Sequence, residues 1–424
     1  MKKEILGWIF NGKDYTLKLP EKKIQKLKTL LKQIAKKKAL PINDFQKLAG
    51  YLVHASIGIP KGQGLLSAIY KGLQSTGEFV TITNDIKQSL TDWRFMLHLI
   101  NQRPTSVLEL TPGQPWFIGY TDASGEGVGG VWTDGTKKLT QPIVWRCKWP
   151  TDITASLISE ANPKGTITIN DLELAGELIA WLVLEKITPI PLKFAHIGIR
   201  CDNKASVSWA NKLTCTSSTI AGRLLKAIAT RQHVQMASPM LTVSIPGEDN
   251  KMADMASRSY SNPNFTNNNN SFLQNFNQMF PLQNNSWREY LLSPKIFSKV
   301  TSCLRGEPST MAWWHKIPTL GKNTGNIGQH IPTYSEEIPS SKLAQTKKKS
   351  SSSLLLLQGS GLATTEKESK SQFKLSLKRS QPSQRPVNWL ENNPQSHKQR
   401  KHTKSQWHGW LKASEGKTHQ PPHN

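Results

Sequence analysis

Residues 116–135 read WFIGYTDASGEGVGGVWTDG, and the fold follows from how this stretch divides. Two runs rich in β-branched and aromatic residues, WFIGYTDAS and GVGGVWTDG, are parted by glycine, and a third, PIVWRCKWP at 142–150, follows an Asp-Gly turn signal. Short runs of this kind with glycine at the turns predict three consecutive antiparallel strands. Further on, DLELAGELIAWLVLEK (171–186) sets Leu174, Leu178, Ile179 and Leu182 at helical spacing, which makes it the strongest helix in the chain. A buried strand at His196–Asn203, helices at Ala205–Asn211 and Thr219–Gln232, the strand LTVSIPG (241–247) and a last helix from about Asn250 complete the series. The order βββ-α-β-α-α-β-α predicts an α/β domain over residues 114–260, with helices packed on a mixed central sheet of about five strands.

Four carboxylates sit where such a domain brings them together. Asp122 ends the first strand, followed by small residues that leave room beside it, and Glu173 lies near the start of the strong helix, off its apolar face. Asp202 ends the fourth strand in the CDN sequence, and Asp254 lies one turn inside the last helix, in GEDNKMADMASR. Hydrolysis of a phosphodiester with two divalent ions roughly 4 Å apart calls for such a set, because several anions must neutralise and hold the ions for in-line attack by water. Taken singly, each has an ordinary explanation: an Asp at a strand end is commonly a turn residue, and a Glu in a first helical turn serves the helix dipole. The order strand, helix, strand, helix gives the set its weight. The nearby Glu126, Asp134, Asp171, Glu177 and Asp249 read as surface, turn or capping residues.

The segments YTDASGEGVGGVW, INDLELAGELIA, IRCDNKASVSW and IPGEDNKMADMASR resemble, in order and spacing, the four acidic motifs of the RNase H domain attached to reverse transcriptases of retrotransposons. The resemblance runs from Trp116 to Arg258, one third of the chain. It implies an RNase H-like fold and an enzyme that cuts the RNA strand of RNA/DNA hybrids. Asp122, Glu173, Asp202 and Asp254 would be both its catalytic residues and the ligands of two Mg²⁺ ions, or of Mn²⁺ in their place. It also implies recognition by backbone shape and 2′-hydroxyls. One departure concerns a histidine that many cellular RNases H carry shortly before the last acid. Here that loop reads SIPGEDNKMA, and His233 is a distant substitute.

The flanks differ in character. Pro20 to Leu40 places Ile24, Leu27, Leu31 and Ile34 at helical spacing among lysines, Ile42 to Ala55 predicts a second helix with Asn43 as N-cap, and Leu65–Leu73 and Asp85–Asn101 predict two more. Residues 1–110 therefore read as a mostly helical extension. The runs LGWIFNGKDYTLKLPEKKIQKLKTLL and LAGYLVHASIGIPKGQGLL resemble the thumb and connection region that follows the polymerase palm in such elements, but no YxDD palm signature occurs. Residues 261–340 read as an Asn-rich linker with a small helical island at Ser271–Trp314, which resembles the segment after RNase H in some DIRS-type elements. No recombinase catalytic set can be assembled there. Trp313 and Trp314 read as core, with base stacking as the other reading. Residues 341–424 read as a largely disordered basic tail.

Lysine and arginine outnumber aspartate and glutamate by 55 to 29, and the net charge of +26 favours a polyanion such as nucleic acid, against a solvated basic tail. The four cysteines lack any CxxC pair or dense framework, which fits a reducing, intracellular setting, cytoplasmic or nuclear. Charges interrupt every apolar run at the N-terminus and LLLL at 354–357 is far too short to cross a bilayer, so no membrane role is expected. The expected partners are an RNA/DNA hybrid and the polymerase region of a reverse transcriptase. The competing expectation is a catalytically inactive RNase H-fold relic that still binds nucleic acid. A DDE-type transposase is disfavoured, because the acid in the middle helix precedes the fourth strand.

Overall fold

The structure is a computed structural model that describes residues 2–59, 62–111, 113–136, 139, 141–261, 269–283 and 285–317. The basic tail expected over 341–424 lies outside the described residues, as do the Asn-rich run 262–268 and residues 318–340.

The N-terminal part opens with strands rather than helices. β1 (Lys2–Ile5), β2 (Trp8–Asn11) and β3 (Thr16–Lys18) make an antiparallel meander. Leu6 and Gly7, with φ of 50° and 77°, form the two-residue turn that joins β1 to β2, the conformation a right-twisted hairpin requires. Four helices follow, α1 (Glu21–Ala35), α2 (Ile42–Ile57), α3 (Ser67–Leu73) and α4 (Asn84–Gln102). β4 (Ala39–Pro41) pairs with β5 (Phe79–Thr81) among them, and β6 (Thr105–Ser106) returns to β3. Ile24, Leu27, Leu31 and Ile34 of α1 face inward, as their spacing predicts. Asn43 is not the cap of α2: Pro41, with φ fixed at −54°, starts the helix one residue earlier and leaves Asn43 in its first turn. Thr83 caps α4 by accepting from the Ile86 amide.

The central sheet contains β7 (Phe117–Ala123), β8 (Gly127–Asp134), β9 (Ile143–Lys148), β10 (Ile197–Cys201) and β11 (Leu241–Ser244). α5 (Thr151–Ala155) and α6 (Ile169–Ile187) follow β9, α7 (Lys204–Lys212) and α8 (Thr219–Gln235) follow β10, and α9 (Lys251–Ser257) follows β11. Strand order is β11-β10-β7-β8-β9, with β8 antiparallel to both neighbours and β10 and β11 parallel to β7. This is the mixed sheet with flanking helices of an RNase H-like fold. Alternation along β8 assigns the two faces: Val128 and Trp132 join the core under α6, whereas Val131 joins a second cluster with Ala256 of α9.

Two features depart from the sequence reading. α6 has no solvent face: every residue from Asp171 to Glu185 is buried, because the helix is packed by β7, β8, α7 and α8 together. And the segment after the Asn-rich run is built into the domain instead of standing beside it. It supplies α10 (Asn269–Met279), β12 (Arg288–Tyr290), α11 (Pro294–Leu304) and α12 (Met311–Lys316). β12 pairs in parallel with β9 as a sixth strand, and α11 packs on α6. Phe272 and Phe276 of α10, both fully buried, close the second cluster, each contributing on the order of 2 kcal/mol. Trp314 is fully buried in the main core, as expected, with its indole N–H donated to Ser309. None of the described helices is long and apolar enough to cross a membrane.

Candidate active site

The carboxylates are set by ordinary local geometry. β7 and β10 run parallel with Tyr120 opposite Arg200, so two residues further on Asp122, still within β7, and Asp202, just past the end of β10, come side by side. Just beyond Asp202, Asn203 caps α7 by accepting from the Ala205 and Ser206 amides, which turns the chain sharply and keeps Asp202 at the strand end. α6 is opened by a capping box in which Thr168 and Asp171 bond each other's backbone amides. Asp171 also accepts from Ser218 at 2.6 Å. That anchored start presents Glu173 to the ends of β7 and β10.

Asp254 arrives by a close helix approach. Across the sheet from Asp122 stands Gly129, and a Cβ there would lie 2.5 Å from Cβ of Ala256. Only a glycine lets α9 rest directly on β8. Asn250, buried just before α9, donates to the Thr121 carbonyl at 3.0 Å and fixes the helix start beside Asp122. Ser257, at the other end of α9, donates to the Asp122 carboxylate, and Arg258 pairs with Asp254.

The electrostatics are those of anions forced together. Burial pushes Asp122 up to about 6, with the charges of Asp202 and Asp254 adding to the rise and the Ser257 hydroxyl opposing it. Glu173 is raised well above the usual carboxylate range by burial and by Asp122 and Asp202. Asp122 and Glu173 are each about 4% exposed, while Asp202 and Asp254 are half-buried and open the cluster to solvent. One ligand atom each from Glu173, Cys201 and Asp202 lies within 4.8 Å of the others. Asp122 stands outside that triplet but is coupled by charge to Glu173 and Asp202, and Asp254 is coupled to Asp122.

Four neighbours were not picked out from the sequence. Cys201 sends its thiol toward Glu173, at 3.7 Å, and burial pushes that thiol far up, so it stays neutral. Asn250, Ser257 and Arg258 lie within the quoted GEDNKMADMASR run, and only their spacing from Asp254 hints at their roles. Glu177, read as a surface or capping residue, is wholly buried one turn beyond Glu173, because α6 is covered on every side. Asp171 does cap, Asp134 accepts from Leu139 in a turn, and Glu126 and Asp249 are exposed. His233 does not reach the carboxylates. It is buried within α8, and burial, with Arg103 and His315 nearby, depresses it to about 3.

No protein-family profile matches the chain, and no curated protein matches it. Among solved structures, an RNase H1 isolated from compost by a metagenomic approach aligns at 20% identity, over 33% of this chain and 91% of its own, with a TM-score of 0.24. A foamy viral protease-reverse transcriptase in complex with double-stranded DNA aligns at 12% identity, over 58% of this chain and 38% of its own, with a TM-score of 0.22. The same viral protein in complex with an RNA/DNA hybrid aligns at 9% identity, over 70% of this chain and 51% of its own, also with a TM-score of 0.22. The present chain thus spans about half or less of the viral protein.

Proposed function

We propose that this protein is a divalent-metal-dependent ribonuclease that hydrolyses the RNA strand of RNA/DNA hybrids, as part of a retroelement reverse transcriptase. What supports this reading is that Asp122 and Asp202 come from neighbouring parallel strands, that their charges bear on the buried Glu173, and that the charges of Asp202 and Asp254 bear on the buried Asp122. Buried carboxylates that raise one another's affinity for protons present a donor set suited to hard divalent cations, and four oxygen donors fit Mg²⁺ or Mn²⁺. Asp122, Glu173, Asp202 and Asp254 would hold two such ions. When bound, the pair supplies an activated water and charge neutralisation at the leaving 3′ oxygen.

The chain's own residues do the rest. Ser257 and Asn250 hold Asp122 and the α9 start in place, so the cluster is preorganised. The half-buried Asp202 and Asp254 leave the cluster open on the side from which a phosphodiester can approach. The exposed lysines of α1, among them Lys22, Lys26 and Lys32, make no ion pair among the described residues and suit a polyanionic backbone.

The full chain, incubated with a labelled RNA/DNA hybrid, should cut the RNA strand with Mg²⁺ and not with EDTA, and Asp202→Asn should be slower by roughly 10³-fold or more. Hybrid binding without metal-dependent cleavage, or equal cleavage by the variant, would leave the inactive relic as the correct reading.

A further inference from the structure

Among the cations near the acid cluster, Arg258 is singular in its placement. It follows Asp254 by one helical turn, and its guanidinium is bonded through Nε to the Asp254 carboxylate. Its charge is felt beyond that pair: it bears on Asp122, and it is itself held more firmly protonated by Asp254 first and by Asp122 and Asp202 as well. The side chain is nevertheless 63% exposed, with 45% exposure for Asp254, so the pair is wet and breakable. The more deeply placed members, Asp122 and Glu173, have no such partner; Ser257 gives Asp122 a hydroxyl only.

We propose that Arg258 is a built-in counter-cation that occupies Asp254 in the metal-free protein, is displaced from it when a divalent ion is taken up, and then binds a backbone phosphate of the substrate. This inference rests on the metal-dependent reading above. Three physical points support it. The guanidinium holds one of the two Asp254 oxygens, and its positive charge beside the other disfavours a divalent ion there, so the two cations compete for one carboxylate. Once the ion is bound, the local charge that held Arg258 falls, and an exposed guanidinium on a short helix can swing toward solvent. Its planar fork of donors then suits a phosphate, which is the group a nucleic acid presents beside the scissile bond. No proton or bond changes hands in this exchange; one cation replaces another on Asp254, and Arg258 trades a carboxylate for a phosphate.

Mn²⁺ binding to the full-length protein, followed by the electron paramagnetic resonance of free Mn²⁺, tests the exchange without catalysis. Asp254→Asn should weaken binding about tenfold, since a ligand is lost, whereas Arg258→Ala should tighten it by about two- to fivefold, the range an exposed ion pair allows. At saturating Mn²⁺, Arg258→Ala should raise KM for the hybrid about tenfold while kcat changes by less than about threefold, and Arg258→Lys should recover part of the KM because it keeps the charge without the fork. If Asp254→Asn weakens Mn²⁺ but Arg258→Ala leaves it unchanged or weaker, the counter-cation is overturned and the metal reading stands. If Asp254→Asn has no effect on Mn²⁺ either, the metal reading at Asp254 falls with it. An unchanged KM in Arg258→Ala would overturn the phosphate contact. Thermal melts of each variant separate these outcomes from misfolding.

Discussion

Glu173 and Glu185 lie on the same buried helix, twelve residues apart by their numbering, and meet opposite surroundings. Glu185 is fully buried against the equally buried Arg231, which bonds both of its oxygens, while Trp181 donates its indole N–H to it at 2.6 Å. Arg231 also donates to the carbonyls of Trp314 and Ile317, at 2.6 and 3.1 Å, so the pair ties α6, α8 and the end of α12 together. Glu173 faces Asp122, Asp202 and a neutral thiol, and makes no ion pair among the described residues. A buried carboxylate is costly unless it is paired. The Glu185 end of α6 resolves that cost within the protein, and the Glu173 end leaves it unresolved. Burial alone therefore does not tell a structural acid from an uncompensated one; the partner does.

The contrast can be broken most forcefully at its satisfied end. Arg231→Leu strands Glu185 in the core and frees two carbonyls, and should cost about 3–5 kcal/mol in urea denaturation. A loss below about 1 kcal/mol would show that Glu185 is no better compensated than Glu173. At the other end the sign reverses. Glu173→Gln in EDTA should raise stability by about 1–2 kcal/mol, since it replaces a carboxyl that burial and two neighbouring acids oppose with a neutral group of the same shape, while abolishing metal-dependent cleavage. Destabilisation of the metal-free protein by that change would make Glu173 a structural residue.

The finest test is Glu177, midway between the two. Burial pushes its carboxyl up to about 8, against hydrogen bonds from Ser206 and Thr242, and one of its oxygens has no partner. A carboxyl whose folded value lies above its ordinary 4.5 contributes stability that is full below about 4.5 and is lost as pH rises through about 8. Glu177→Gln keeps the shape and removes the titration. Its melting temperature should therefore fall less than that of the native sequence between pH 5 and pH 8.5, by an order of a few degrees in scanning calorimetry. Parallel curves would place the charge of Glu177 in contact with solvent.

Much of the sheet was legible in the chain, and so were the positions of two of the four candidate acids within it. Asp122 and Asp202 sit where strand runs stop, and a stop is visible as glycine, Asn or a turn pair within a few residues. What escaped depended on contacts far apart in sequence. The Arg231–Glu185 pair joins residues from two helices, and nothing local marks either residue as buried. β12 is three residues long, REY, too short for any alternation to register, and its identity as a strand comes from pairing with β9. Glu177 was misread because a buried helix has no polar side, so the usual rule that charges mark the wet face fails on α6. The opening meander was hidden by its exposed lysines, since β1 faces solvent along its whole length.

β12 has one more effect, on how this molecule behaves among copies of itself. β9 is a six-residue strand rich in valine, isoleucine and tryptophan, the kind of open edge that templates pairing with another chain. Arg288–Tyr290 covers half of it with a short strand in which Arg288 is exposed and Glu289 is clasped by the buried Arg146 at 2.8 Å. The downstream segment therefore narrows the edge open to another chain as well as completing the core. Its loss would first be felt as poor solubility, before any change at the carboxylates.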